Sequence, residues 1–235
     1  MTVGEIRKLV EDYRQATRRV ASAGFDVLDI HAAHGYLIHT FLSPVANMRT
    51  DAYGGDLNGR MRLALEIAEG VRSAWPAGKP IFFRISSVDW RQDLDTRSDG
   101  WTIADSCVLA RELSARGVDL IDCSSGGIRA ENSMMDYARQ RKRLKRGHQV
   151  AYAEAIRRET GMPTMAVGVI LDDPQAEAIL QRGQSDLVAI GREALLDPHW
   201  ALHAARDLGA DPDWKRWPPA YGWWLELRER IGVED

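Results

Sequence analysis

Between Ile30 and Leu42 the chain reads IHAAHGYLIHTFL, which sets His31 and His34 three apart, Tyr36 two residues later and His39 behind them. Three kinds of chemistry fit such a group. A zinc ion needs three or four ligands, usually with thiolate or carboxylate help. Cys107 and Cys123 lie far along the chain in apolar stretches without ligand spacing, so no metal is expected. Neutral imidazoles can instead present N–H donors to a substrate oxygen while a nearby tyrosine delivers a proton. A histidine can also simply satisfy backbone groups, the reading preferred for His39. His31, His34 and Tyr36 are therefore the candidates for oxygen binding and proton transfer.

A second group is cationic. Arg84 sits inside the apolar run Ile81-Phe82-Phe83-Arg84-Ile85, where a guanidinium is costly unless it meets an anionic or electron-rich partner. Further on, Val167-Gly168 and Ile190-Gly191-Arg192 each follow an apolar run. Glycine lets backbone amides approach a phosphate closely, and an arginine can pair with it. Gly168, Gly191 and Arg192 therefore point to a phosphorylated cofactor or substrate.

The elements that must position these residues follow a recurring phrase. Gly24-Phe-Asp-Val-Leu-Asp-Ile, Gly117-Val-Asp-Leu-Ile-Asp-Cys and Gly183-Gln-Ser-Asp-Leu-Val-Ala-Ile each follow a segment of helical periodicity. Each reads as a helix ending on a left-handed glycine, a tight turn and a buried strand. Ile81–Ser86 and Thr164–Gly168 add two strands. Thr2 with Glu5 and Thr102 with Asp105 signal helix starts, and Asp173-Pro174 and Asp197-Pro198 are expected to place an N-cap before a proline. Strand and helix alternate over five βα units, which predicts a parallel sheet. A doubly wound sheet and part of a (β/α)8 barrel both fit. The first strand is followed by HAAHGY, with no G-x-G-x-x-G and no P-loop, which favours the barrel. In a barrel the chemistry lies at the C-terminal ends of the strands, where all the residues above fall, together with Ser124, Ser125, Gly126 and Gly127.

Composition narrows the function. With 28% charged and 45% hydrophobic residues and a net charge of -3, the 235-residue chain has the profile of a globular protein with no field for nucleic acid or anionic membranes. No run of ~18 apolar residues could span a bilayer, and the N-terminus has no signal-peptide core. The cysteine usage predicts a reducing, cytoplasmic setting. Residues 126–147, GGIRAENSMMDYARQRKRLKRG, form a long segment that is strongly basic near its end. They read as a solvated loop or as a lid attracting an anionic ligand.

HAAHGYLIHTFLSPVANMRTDAYGG, FFRIS, DLIDCSSGG, TMAVG and DLVAIGREALLDPHW, in that order, resemble the old yellow enzyme family of flavin-dependent oxidoreductases. The likeness is strongest to its bacterial NADPH dehydrogenase and xenobiotic reductase branch. The resemblance implies an FMN-containing TIM barrel using NADPH or NADH to reduce activated alkenes such as α,β-unsaturated carbonyls. It implies that His31 and His34 bind the substrate oxygen and that Tyr36 protonates the carbon beside the carbonyl. It assigns Arg84 to the flavin ring, and Val167, Gly168, Gly191 and Arg192 to holding FMN.

The resemblance also implies three further βα units before the first strand seen here, so residues 1–235 are expected to be a single, partial barrel corresponding to strands four to eight. The expected partners are a small-molecule alkene and either further copies of the chain or a missing N-terminal half. The tail 209–235, with PPAYGWW, is similar to tails that reach a neighbouring subunit in this branch. The competing expectation is a barrel fragment that binds no flavin and serves only as an assembly partner. A dienoyl-CoA-reductase-like piece of a larger protein is disfavoured by the lack of a cysteine-rich iron–sulfur segment.

Overall fold

In the computed structural model, which describes residues 1–89, 100–128 and 145–232, the five expected strands form one parallel sheet. Strands β1 (Leu28–Ala32), β2 (Ile81–Ser86), β3 (Leu120–Ser124), β4 (Thr164–Val167) and β5 (Leu187–Ala189) lie in chain order. Helices α1 (Val3–Ser22), α2 (Leu37–Leu42) and α3 (Leu57–Ala74) flank the first crossover. Helices α4 (Ile103–Ser114), α5 (Val150–Thr160) and α6 (Asp173–Gln181) stand between the later strands. Helices α7 (Arg192–Leu196), α8 (Trp200–Asp207) and α9 (Pro219–Arg230) follow β5. The order of adjacent parallel strands is that of consecutive barrel units, not of a doubly wound sheet.

The alternation of side chains explains why the sheet has two unlike faces. Ile30, Ile81, Phe83, Ile85, Ile121, Cys123 and Ala166 point toward the helices and join one buried apolar cluster. The register pairs Asp29 with Phe82, His31 with Arg84, Arg84 with Asp122 and Asp122 with Met165. These residues share the opposite face. A one-residue slip of β2 would bury Arg84 among the helices and expose Phe83, so burying Ile81, Phe83 and Ile85, at about 1.5–3 kcal/mol each, fixes the register.

The recurring phrase has a physical role. Gly24, Gly117 and Gly183 all have positive φ, at 85°, 82° and 65°. The aspartate that follows ties down a neighbouring strand: the Ile81 N–H donates to Asp119 Oδ2 at 2.8 Å and the Thr164 N–H to Asp186 Oδ2 at 2.9 Å. The Thr2–Glu5 and Thr102–Asp105 capping boxes both form.

Two helix starts differ from expectation. The cap of α6 is Asp172, not Asp173, and its Oδ1 accepts the Gln175 N–H at 3.0 Å. Asp172 takes the extended conformation a cap needs, and Pro174 falls in the first turn, where its missing N–H costs nothing. Asp197 caps no N-terminus: it ends α7, and α8 starts after His199. Its carboxylate instead accepts from the His199 N–H at 2.9 Å and meets His203 Nδ1 at 2.6 Å. The basic part of the 126–147 segment, residues 129–144, lies outside the described residues. Among the described residues no helix is long and apolar enough to cross a membrane.

Candidate active site

The turn after β1 is built by close backbone contact. His34 and Gly35 adopt φ of 60° and 79°, and Gly126 and Gly127 adopt 78° and 105°. A Cβ on Gly127 would stand 2.1 Å from the His34 carbonyl carbon, and one on Gly35 would stand 2.6 Å from the Gly127 oxygen. Only glycine lets the turns after β1 and β3 seat against each other. Ser86, at the end of β2, locks them. The His34 N–H donates to Ser86 Oγ at 2.9 Å, and the Ser86 hydroxyl donates to the Gly126 carbonyl at 2.6 Å. The positive φ of His34 is thus held by three strand ends at once, a strain that persists only under such over-determination.

This seating gathers the ring cluster. His31 stands edge-on to His34 and to Tyr36, with centroids 5.2 and 5.3 Å apart. Tyr36 is 65% exposed, so its phenol faces open space rather than the core. His31 Nε2 lies 3.3 Å from His34 Nδ1, and His34 Nε2 lies 2.6 Å from Ser124 Oγ. Burial, then the Arg84 charge, pulls His31 below the usual histidine range and His34 down to about 4. Both rings are neutral near pH 7, which suits them to donate N–H to an oxygen rather than to carry charge.

His39 stands apart from this cluster. It is fully buried, its Nδ1 accepts the Gly35 N–H at 2.9 Å, and its Nε2 meets Asp89 Oδ1 at 2.8 Å. Asp89 also accepts from the Ser43 hydroxyl at 2.5 Å and from the Trp101 N–H at 2.9 Å. His39 satisfies a backbone N–H and a buried carboxylate, in line with the backbone role preferred for it.

Arg84 meets its anionic partner in Asp122, a residue the sequence reading passed over. Arg84 Nη1 is 3.4 Å from Asp122 Oδ2, at ion-pair distance but off hydrogen-bond alignment. Burial outweighs the guanidinium and pushes the Asp122 carboxyl up to about 7, with the Asp29 charge adding to the rise. Asp29 is raised as well, burial again leading. A sequence signal for both existed: in the first two copies of the recurring phrase a second aspartate stands five residues after the glycine. That offset lands Asp29 and Asp122 on the face of His31 and Arg84.

The glycines and Arg192 form a second group at the ends of β4 and β5, across the sheet from the ring cluster. Gly168 has φ of 113°, and a Cβ there would meet Gln149 Nε2 at 2.4 Å. Gly191 precedes α7 and has open space where a Cβ would be. Arg192, the first residue of α7, is exposed. Val167 is engaged through its carbonyl, which accepts from Gln149 Nε2 at 3.0 Å.

These residues fit an FMN. Arg84 Nε is buried without a hydrogen-bond partner, a donor that the electron-rich edge of a heterocycle could satisfy. The bare backbone at Gly191 beside a cation suits a phosphate. Among the described residues no cluster of three metal-ligating side chains occurs.

The model of the NADH:flavin oxidoreductase / NADH oxidase family matches residues 1–211. The NADPH dehydrogenase of Bacillus subtilis is 43% identical over 212 residues, covering 90% of this chain and 57% of the relative. That of Geobacillus thermodenitrificans is 43% identical over 209 residues, covering 89% and 56%. The chain thus spans somewhat over half the length of these relatives. Among solved structures, morphinone reductase in complex with tetrahydroNAD is 28% identical with a TM-score of 0.64, covering 87% of this chain and 51% of that one. A 2-naphthoyl-CoA reductase complex, at 23% identity and a TM-score of 0.76 over 91% of this chain and 30% of its own, shares the fold.

Proposed function

The chain belongs to the NADH:flavin oxidoreductase / NADH oxidase family, and on that premise we propose that it forms the substrate side of an FMN-dependent ene-reductase. Its substrates would be small activated alkenes such as α,β-unsaturated carbonyls, and its reductant NADPH or NADH. The observation that carries this reading is the neutral His31–His34 pair with an exposed Tyr36 beside it, above the in-register Arg84.

Bound FMN would supply the hydride taken from the nicotinamide. The chain's own residues do the rest. Arg84 would lie against the electron-rich edge of the bound ring, where its fixed positive charge would stabilise negative charge. Gly168, Gly191 and Arg192 would hold its phosphate, with Val167 lending its backbone. The histidine pair receives the carbonyl oxygen of the alkene and stabilises charge that develops on it. Tyr36 then gives its phenolic proton to the carbon next to the carbonyl, a step worth roughly 10²–10⁴-fold in rate.

One apolar cluster runs from Ile6 to Ile179, which supports residues 1–235 as a single unit with 209–235 as its C-terminal tail. Strands β1 and β5 end the sheet, and five strands do not close an eight-stranded barrel. In this reading their free edges take further strands, either from an N-terminal half or through association with another copy. The free, buried Cys107 and Cys123 fit a cytoplasmic enzyme. The test is to reduce the FMN-loaded protein anaerobically with NADPH and then add 2-cyclohexenone. Reoxidation of the flavin with formation of cyclohexanone supports the reading; a flavin that stays reduced contradicts it.

A further inference from the structure

The strand register sets Asp122 on β3 directly beside Arg84 on β2, and Nη1 lies 3.4 Å from Asp122 Oδ2. Asp122 is buried, and neither of its carboxyl oxygens has a hydrogen-bond partner. Arg84 Nε is likewise buried and unpaired. A buried ion pair stabilises a fold only when further hydrogen bonds satisfy both partners. This pair is left open. Its two members interact through charge, while the arginine keeps a donor for another group.

The titratable groups around Asp122 come from the neighbouring strands. From β1, the Asp29 charge opposes ionisation of Asp122; from β2, the Arg84 charge favours it. From β4, the uncharged Met165 pairs with it in register. Within β3 the Cys123 thiol is pushed up by burial and keeps its proton. His31 and His34, beside Arg84, are both held below the usual histidine range. Two carboxyls thus share the Arg84 guanidinium, and burial pushes that of Asp122 up to about 7. Its proton is gained or lost close to neutral pH.

We propose that Asp122 tunes the cofactor: its carboxylate offsets the positive charge that Arg84 brings to the flavin ring, and taking up a proton lifts that offset. This rests on the reading that Arg84 lies against a bound flavin, and deepens it. Reduction leaves negative charge on the ring, which Arg84 favours and an ionised Asp122 disfavours. By reciprocity, if a proton on Asp122 eases reduction, then reduction draws a proton to Asp122. Asp122 acts through Arg84 rather than on the substrate, so it is a positioning residue.

The test is the midpoint potential of the FMN-loaded chain, read against a reference dye at about pH 5.5, 7 and 8.5. Wild type is compared with Asp122→Asn, whose amide keeps the shape of the carboxyl and carries no charge. At pH 5.5 the wild-type carboxyl is mostly protonated, and the two potentials should nearly coincide. At pH 8.5 it is ionised, and the variant should have the higher potential. The expected gap there is at least a tenfold change in relative affinity for the two flavin states, about 30 mV for a two-electron couple. Asp122→Glu, which keeps the charge, should follow the wild type. A purely structural role would shift the potential equally at every pH. A constant gap, no gap, or a wild-type potential above that of Asp122→Asn would overturn the proposal.

A second measurement needs no flavin and does not depend on the folding of Asp122→Asn. In the chain labelled with carbon-13 at its aspartate carboxyls, the Asp122 resonance, assigned by its loss in Asp122→Glu, should titrate near neutral pH. In Arg84→Leu it should titrate higher, because the cation that favours its charge is gone. An Asp122 titration that ignores Arg84 would overturn the proposal as well. A chain that takes up no FMN defeats the ene-reductase reading, and this proposal with it. A chain that binds FMN and shows a constant gap defeats this proposal alone.

Discussion

Arg84 and Asp122 stand side by side on β2 and β3, Nη1 3.4 Å from Oδ2, on the face of the sheet opposite the helix-packed core. Lodged in the strand interior beside the His31–His34 pair, they set the electrostatics of the candidate site. The guanidinium helps hold both histidines neutral, and the buried carboxyl beside it takes up a proton well above the ordinary carboxylate range.

That arrangement makes a pH prediction whose sign can be worked out. His34 folds at about 4 against an ordinary 6.5, so between those values folding expels a proton and stability falls as pH falls. Asp122 folds at about 7 against an ordinary 3.8, so over nearly the same window folding takes a proton up and stability rises as pH falls. His31 adds to the first effect and Asp29 to the second. The opposed effects offset each other in the wild type. Asp122→Asn should therefore lose stability from pH 6.5 toward 4, and His34→Asn should gain it from pH 7 toward 4. Urea midpoints at several pH values check this; two parallel curves would refute it.

Tyr36→Phe should slow alkene reduction by about 10²-fold or more while leaving flavin reduction by NADPH nearly unchanged. Stopped-flow measurement of the two half-reactions separates them. Equal slowing of both would mean that the phenol supports the fold or the flavin rather than delivering a proton.

Gly127→Ala should cost about 2–4 kcal/mol, since it combines a positive φ with a collision against the His34 backbone at 2.1 Å. Gly78→Ala, where nothing lies within 4 Å and no positive φ is required, should stay within about 0.5 kcal/mol of wild type. Chemical denaturation of the pair measures the difference. Similar values for both would show that the turns after β1 and β3 do not depend on their contact.

His39→Ala should lower stability by about 2–4 kcal/mol, because it strands Asp89 Oδ1 and the Gly35 N–H inside the core. Substrate affinity of the folded fraction should be retained. A His39 variant of normal stability that no longer binds ligand would move His39 into the site.

Much of this was legible in the sequence because it rests on local rules. Left-handed glycines ended the helices before β1, β3 and β5, and the apolar runs gave all five strands. The H-x-x-H-G-Y spacing marked the end of β1. The misses come from relationships that only tertiary pairing creates. Asp122 sits inside an apolar strand, and nothing in DLIDCSSGG says that Arg84 will lie beside it. Gln149 opens a helix in a stretch with no motif, and its bonds to the Ser125 hydroxyl and the Val167 carbonyl form only once β3 and β4 are adjacent. The cap of α6 moved by one residue because Asp172 and Asp173 are both able to cap and backbone conformation chose between them. Asp197-Pro198 looked like a start because the sequence does not show that His199 and His203 claim the carboxylate.

The claim on which the rest depends is that these residues hold FMN. Titrating the purified 235-residue chain with FMN tests it most directly, with flavin fluorescence and the visible band followed against Arg84→Leu as control. The expected result is a saturating, yellow complex in the wild type that bleaches on adding NADPH, and markedly weaker binding in Arg84→Leu. A chain that folds, stays colourless after FMN is added and leaves flavin fluorescence unchanged would contradict it.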